Sequence, residues 1–486
     1  MYVKIYTPAV MFVLLCLTLL PFKIYSQETE NAQGVTETQA AGQERRILAD
    51  LGHAVFGVTA SNVFLNYLNR LADQPYGHTT FQTMWDCLID PRWDWESADR
   101  FIVNQLGHPY QGSTYFASAR ISGFNFYESL LFSPFGSFMW EIAMEPGTPS
   151  VNDFISTSLG GIPLGEMLHR LFLEANASPS AARRAAGILI SPMGGLVNIY
   201  HRPIYESGGG NIYSLSVRTG IDKTFAYFSG HEEANEPWKY PGGYLDMNVV
   251  YGNPFTQNSR TPYNHFELLT EIASNIDTIK VTVVSDGYLF SFNPVHTERT
   301  LLSTGLSLHF DMFYTSSDII GNLGYGNIQF ASNAIGWTLK QKYQFSQRSH
   351  LEFQAHAAVV IWGCSLYHAD TETDAPWGDH FSMENIRAAY GVGECVKFAF
   401  ALFNNRAGRL DIHANGYHII SIPVDETHST GNVFFIHGSL DYVFPLGTSL
   451  GIGLKTSFWG LFGIYDDADN VRRATLSNSL YVRFAF

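Results

Sequence analysis

The chain has 486 residues and a formal charge of −15, with 15% of its residues charged, 15% aromatic and 43 of them glycine. An acidic chain of this kind argues against a nucleic-acid partner, which would demand a basic surface. No strand–glycine–lysine arrangement of the kind that cradles phosphates is present, and no cofactor is expected.

The N-terminus, MYVKIYTPAVMFVLLCLTLLPFKIYSQ, sets Lys4 before an apolar run from Ala9 to Leu20 and ends that run near the small residue Ser26. This pattern predicts a secretory signal peptide over residues 1–26. Its removal takes away Lys4 and Lys23 and no acid, so the net charge moves from −15 to −17. Cys87, Cys364 and Cys395 remain, an odd number that allows at most one bridge and no disulfide framework. No later apolar run approaches the ~18 residues a spanning helix needs. Residues 27–47, largely polar, are expected to be a flexible tether.

From 48 to 200 the apolar spacing becomes helical, with Leu51, Val55 and Val58 followed by Phe64, Tyr67, Leu68 and Leu71. GFNFYESLLFSPFGSFMWEIAMEPG predicts a helix or two half-helices meeting near Pro134 and Gly136. In PSVND, Ser150 is placed to cap the next helix, with Asp153 three residues on. The motifs HPYQG (108–112), GFNFYES (123–129), GSFMWE (136–141), PSVNDFISTSLGGIPLGE (149–166), YGNPF (251–255) and TPYNHFEL (261–268) together resemble the domain of unknown function 3943 family. That family comprises Gram-negative envelope proteins, mostly Bacteroidetes-type. The resemblance covers roughly residues 100–270 and implies a helical segment joined to an outer-membrane barrel; it supplies no activity and no functional residues.

The candidate catalytic groups therefore rest on residue chemistry alone. His108, Tyr110, Glu141, Asp153 and Glu166 are polar or ionisable residues in an apolar helical setting, where burial shifts pKa values and favours function. In GHPYQGS, Pro109 biases His108 away from helical angles, Gly107 and Gly112 give the backbone freedom, and Ser113 or Thr114 is placed to cap a helix through TYFASARI. The stretch reads either as a structural elbow or as an acid–base site. No nucleophile or acid stands at a fixed offset that would make His108 one member of a hydrolytic triad. Asp153 and Glu166 are 13 residues apart, about 220° around an ideal helix, so one shared site is not expected. Glu166 and His169 have the Glu-x-x-His spacing of helical metal sites, but a single copy does not make one, and no metal is expected. Gly160, Gly161 and Gly165 form a small-residue strip suited to close packing.

Beyond residue 201 the pattern becomes two-residue alternation. Leu450, Ile452, Leu454, Phe458, Phe462 and Ile464 alternate with small or polar residues, as do Leu302, Leu306, Leu308, Phe310 and Met312, and again Leu351, Phe353, Ala355, Val359 and Ile361. Runs of more than ten such residues exceed the ~5–6 typical of soluble sheets and favour a transmembrane barrel. The connections alternate long and short, giving about 12 antiparallel strands, with 14 also open because Asp286-Gly287 reads as a bulge or an extra turn. The predicted fold is α+β: a periplasmic-side helical segment over 48–200, then an outer-membrane barrel over 201–486. Inward positions include His309, Asp311, Lys340, Lys342, Glu352, His356, Asp411 and His413, whose mixed signs point to cross-barrel pairing or a plugged lumen. The terminus NSLYVRFAF places Phe484 and Phe486 on one face and resembles the C-terminal recognition strand of Gram-negative outer-membrane proteins, with Tyr481 where glycine is often found. Phe484 and Phe486 are thus the expected assembly signal.

Two functions are compatible with this reading. One is a non-enzymatic outer-membrane barrel, structural, transporting or lipid-interacting, with helices packed at its periplasmic side. Its expected partners are outer-membrane lipid, lipopolysaccharide, the barrel-assembly machinery and periplasmic chaperones. The alternative is an envelope enzyme acting on lipid or glycan through His108 and nearby carboxylates.

Overall fold

The computed structural model describes residues 37–74, 77–90, 92–95, 101–200, 210–228, 241–256, 258–275, 279–316, 328–368, 386–424 and 428–486. The expected signal peptide, residues 1–26, lies outside these residues, as do Asp370, Glu372, Asp374 and Asp379. The helices are α1 (Glu37–Leu71), α2 (Phe81–Ile89), α3 (His108–Ile121), α4 (Phe126–Ser129), α5 (Phe132–Ala143), α6 (Val151–Asn176), α7 (Ala181–Ile190) and α8 (Pro192–Tyr200). The expected tether is in part helix, because α1 begins at Glu37: its Glu, Gln, Ala and Arg residues are good helix formers. Pro134 and Gly136 do not divide α5. Pro134 sits in the first helical turn, where its missing N–H costs no bond, and the break falls before Phe132. Ser150 caps α6 as expected, its Oγ accepting from the Asp153 amide at 3.3 Å.

GHPYQGS is not an elbow between two helices. A π-helical turn, Val103–Gly107, runs directly into α3, and His108 itself is helical at φ −62°, ψ −47°. Its amide bonds to the Val103 carbonyl, five residues back. The widened turn makes room for the Pro109 ring, which would otherwise meet the preceding turn of an α-helix. Ser113 and Thr114 are therefore interior, donating to the carbonyls of Tyr110 and Gln111.

The strands are β1 (Ile212–Phe228), β2 (Gly242–Tyr251), β3 (Phe266–Ser274), β4 (Ile279–His296), β5 (Thr300–Ser316), β6 (Gln329–Ser346), β7 (Ser349–His368), β8 (Ile386–Asn404), β9 (Gly408–Ser421), β10 (Gly431–Pro445), β11 (Leu450–Tyr465) and β12 (Val471–Ala485). They form one closed antiparallel barrel, β12 pairing with β1. β4 is continuous through Asp286-Gly287, and its register shifts just beyond, between Tyr288 and Phe290. The ambiguous pair therefore precedes a bulge and is not a hairpin turn, which settles the count at 12. One rim carries the short turns 297–299, 347–348, 405–407 and 446–449; the other carries the long connections 317–328, 369–385 and 422–430. The 252–265 connection is a long one on the short-turn rim, and part of it folds back along β4 through a Ser259–Ser291 bridge.

Contacts across the barrel fix which side chains point inward. Arg218 on β1 pairs with Asp441 on β10, Lys455 on β11 with Glu271 on β3, and Lys397 on β8 with Asp311 on β5. Strands three or four apart can meet in this way only through the lumen. Because alternate residues face opposite sides, the cross-strand line Leu215, Val249, Leu268, Ser285, Phe310, Asn333 and Trp362 faces outward on β1 to β7. Around β10 to β12 outward residues such as Ile436, Leu454 and Leu480 are exposed, as a lipid-facing belt requires. On the cross-strand line, however, Val249, Leu268, Ser285, Phe310, Asn333 and Trp362 are all buried.

The helices cover them. Gly160 of α6 lies against Phe310, a Cβ there coming within 3.2 Å of the Phe310 ring. Phe101 stacks on Tyr314 at 6.3 Å, and Trp95 on Trp362 at 6.0 Å. At the other end Arg170 of α6 donates to the Pro262 carbonyl at 2.7 Å, and Glu174 accepts from the Asn211 amide. One apolar core joins Phe116, Leu164, Met167 and Leu171 to Phe266, Leu268, Phe310 and Met312. Helices and barrel thus form one compact unit, Ala49–Phe486. The helices lie neither in the lumen nor over the short-turn mouth. They pack on the outer wall, along a band that crosses β1 near the short-turn rim and β7 near the long-connection rim.

Candidate functional site

The helical candidates fall into two separate groups. His108 on α3 is 6% exposed and faces α6: its Nδ1 lies 3.2 Å from the Thr157 hydroxyl and its Nε2 3.8 Å from Asp153 Oδ1. Asn152 donates to the same Asp153 oxygen at 2.8 Å, and the Ser150 hydroxyl donates to Asn152 Oδ1. Glu141, at the end of α5, accepts from the Ser150 amide at 2.7 Å. His108, Asp153 and Glu141 therefore belong to one buried chain of polar groups that ties α3 and α5 to the start of α6. Tyr110, on the far side of α3, is 41% exposed and apart from them.

Glu166 lies beyond the first two residues of the glycine strip, fully buried. Arg120 of α3 reaches it through Nε at 2.6 Å and Nη2 at 3.2 Å, and Arg170 of α6 through Nε at 2.9 Å. Arg120 also donates to the Phe124 carbonyl, and Arg170 stands over the Tyr251 ring at 5.6 Å. The carboxylate is thus shared by two guanidinium groups, one of which anchors the bundle to the barrel wall. Both of its oxygens are engaged by these cations, which disfavours a metal shared with His169. Among the described residues no three His, Cys, Asp or Glu side chains are clustered as metal ligands.

The sequence-predicted lumen residues are held by specific partners. Lys340 pairs with Glu267 at 2.7 Å and Asp286 at 2.9 Å; Glu352 takes Lys342 and Arg409; Asp411 takes Arg409. His309 and His356 are joined through Ser307 and Thr338, and Asp311 holds Lys397 and the Tyr417 hydroxyl. His413 lines a cavity of about 270 Å³ that opens toward the short-turn rim. Arg218, Asp222, Asp246, Lys280 and Lys397 share this interior but were not singled out from sequence. Extending the inward parity along β1, β2, β4 and β8 would have found them.

Above these ion pairs the lumen is filled by rings. Phe313, Phe330, Tyr417, Phe435 and Trp459 are each no more than 3% exposed. Phe313 on β5 touches Trp459 on β11 at 5.4 Å between centroids, and Phe330 stacks on Phe435 at 4.6 Å. β5 and β11 are six strands apart in a ring of twelve, so their contact closes the bore at that level. Cys395, facing inward, and Cys364, facing the helices, are buried, Cys87 is partly exposed, and none of the three is bridged.

A closed twelve-stranded antiparallel barrel with an outward apolar belt and a polar interior is an outer-membrane-type β-barrel. Residues 90–193, which carry both polar groups of the helical bundle, match the family model described as "Domain of unknown function (DUF3943)". No curated protein matches the chain. Among solved structures it is similar to a TodX monoaromatic hydrocarbon channel mutant (11% identity over 60% of this chain and 93% of that one, TM-score 0.26). It is also similar to the toluene transporter TodX of Pseudomonas putida (12%, 56% and 89%, TM-score 0.22) and to the NanC porin (9%, 54% and 98%, TM-score 0.23). The cargo named for the two TodX structures belongs to TodX.

Proposed function

We propose that the protein is a structural, lipid-interacting outer-membrane barrel whose helical domain lies beside the barrel in the plane of the bilayer. The observation that carries this is the setting of the covered band. Outward residues beyond both of its edges are exposed and apolar: Leu245 and Ile272 on one side, Phe290 and Trp337 on the other. The helices therefore occupy part of the lipid-facing belt itself. Their far faces suit the same medium, with Phe56 and Phe64 on α1, Trp85 and Leu88 on α2, Phe135 and Phe138 on α5, and Leu189 on α7 all exposed. Among the described residues no helix is long and apolar enough to cross a membrane alone. In this reading the barrel gives Arg170 and Glu174 of the bundle the Pro262 carbonyl and the Asn211 amide as partners, which hydrocarbon could not.

The short-turn rim, where the barrel's chain both begins and ends, faces the periplasm in this reading. Phe484 and Phe486 are the signal read by the assembly machinery and its chaperones, and the long connections meet lipopolysaccharide. The ring-filled bore argues against a permanently open pore. Acid–base chemistry at His108 would need a route to a ring enclosed between α3 and α6.

The test is lipid contact in the intact chain. With Cys87 replaced by serine, a bimane label at Phe138→Cys in vesicles with brominated acyl chains should be quenched as strongly as one at Ile436→Cys on the barrel belt. A label at Asp467→Cys should not. Quenching of the Phe138 label by aqueous iodide and not by the brominated chains would place the bundle outside the bilayer.

A further inference from the structure

Among the described residues, the cavity at the short-turn end of the lumen contains one cation without a counter-ion. Six cationic residues line it, Arg218, Lys340, Lys397, Arg409, Lys455 and Arg483. Five of them have a carboxylate within 4 Å. Arg218 has Asp441 at 2.7 Å, Lys340 has Glu267 at 2.7 Å, Lys397 has Asp311 at 2.5 Å, Arg409 has Asp411 at 2.9 Å and Lys455 has Glu271 at 2.5 Å. Arg483 has no acid at that distance among the described residues, and its Nε is buried without a hydrogen-bond partner.

Its placement compounds the imbalance. In the β1–β12 ladder Arg483 stands directly opposite Arg218, both pointing into the lumen. Like charges facing each other across a strand pair are destabilising, and a guanidinium whose buried Nε lacks a partner keeps an uncompensated desolvation cost. The acid that acts on Arg483 from nearby, Asp411, is already taken by Arg409, whose Nε donates to both of its oxygens at 2.9 Å. Asp441 already accepts from Arg218 and from the Tyr481 hydroxyl, and Arg218 is further held over the Tyr481 ring at 5.4 Å. Ser439 lines the same cavity, as do Gln354, which donates to Glu267 at 2.9 Å, and Asn415, which bonds His437 at 3.2 Å.

We propose that Arg483 anchors a binding site for a small oxyanion, a carboxylate- or phosphate-bearing solute, entering from the short-turn rim. The guanidinium fork matches the two oxygens of such a group, and the anion supplies the charge that the Arg218–Arg483 pair lacks. The cavity, about 270 Å³, lies just under the ~300 Å³ lower end of small-molecule pockets. It admits a compact anion and excludes a polymer. The filled ring layer beyond it makes this a blind vestibule, where a solute is held and not passed on while the rings stay packed.

The experiment is calorimetric titration of the full-length protein in detergent with inorganic phosphate and, separately, acetate, at constant ionic strength. Saturable one-to-one binding of at least one of them is expected, and Arg483→Gln should weaken it at least tenfold. Arg406→Gln, at an exposed turn on the same rim, should leave it unchanged. Arg483→Gln should keep its heat-modifiable migration on gels, which separates loss of the site from loss of the barrel. Should that variant fail to fold, Arg483→Lys, which keeps the charge and loses the fork, should fold and bind more weakly. Absence of saturable binding of both anions to the wild type, or undiminished binding by a folded Arg483→Gln protein, overturns the proposal.

Discussion

Gly112 of α3 rests on the backbone of α6: a Cβ added to it would stand 1.9 Å from the carbonyl oxygen of Thr157. Gly161, one turn along α6, is reciprocally close, its Cβ position 2.5 Å from the Gly112 carbonyl carbon. Ser133 of α5 donates to both the Gly112 and Thr157 carbonyls at 3.2 Å, completing a three-helix crossing. His108 and Thr157 can bond only because the two helices are this near.

Leucine at Gly112 or Gly161 should therefore force α3 and α6 apart. Overpacking of this kind costs ~1–3 kcal/mol or more, and here the obstacle is backbone, which cannot rotate away. The folded band on unheated gels should convert to the unfolded band at a lower temperature in both variants. Gly447→Leu, with nothing within 4 Å of its Cβ position, is the control that should not shift. Equal heat resistance in all three would show that the bundle contributes nothing to the barrel.

Glu166→Gln should destabilise the junction between bundle and wall. It leaves Arg120 and Arg170 facing each other with no anion, and breaking a buried ion pair on one side costs ~3–5 kcal/mol. The arginines keep partial solvent access, with side chains 18% and 13% exposed, which places the expected loss toward the lower figure. The urea midpoint of the tryptophan signal should fall, and Arg120→Ala should lower it by a similar amount. An unchanged midpoint in both variants would remove the triad as a support.

Thinning the ring layer should open the bore. In planar bilayers the wild type is expected to show no steady conductance, and the double variant Phe313→Ala, Trp459→Ala should show it. Those two rings come from opposed strands and meet at the axis. Each truncation costs ~3–5 kcal/mol of packing, so folding of the variant is verified first by heat-modifiability. A silent, folded double variant would locate the seal elsewhere.

Topology and assembly give two direct checks. A tag at Gly447 should need permeabilisation for detection on cells, whereas one at Asp467 should not. Gly408 is a poor insertion point on the same rim, because it holds φ +108° and its Cβ position lies 2.1 Å from the Val443 carbonyl oxygen. Replacing Phe484 and Phe486 with aspartate should reduce insertion, since both side chains lie exposed on the outward face. Normal insertion of that variant would deny them the role of assembly signal.

Strand alternation was legible in the sequence because a two-residue period follows from backbone geometry alone and needs no knowledge of neighbours. It located the strands, set their number near 12, and put His309, Asp311, Lys340 and Glu352 in the lumen. The cap at Ser150 was legible for the same local reason. The π turn before His108 was not, since Pro109 and Gly107 spell a turn unless the residues upstream widen the helix, and that depends on what α3 packs against. Nor could alternation tell which outward residues meet lipid. Phe310 and Met312 read like any lipid-facing pair, and the smaller Ser285, Gly287, Ala331 and Asn333 nearby were a faint sign that something else covers this band. Only tertiary packing decided that α6 covers it, because an apolar face specifies burial but not the partner that provides it. The same limit applies to Arg483, whose inward direction follows from parity while its lack of a counter-ion depends on eleven other strands.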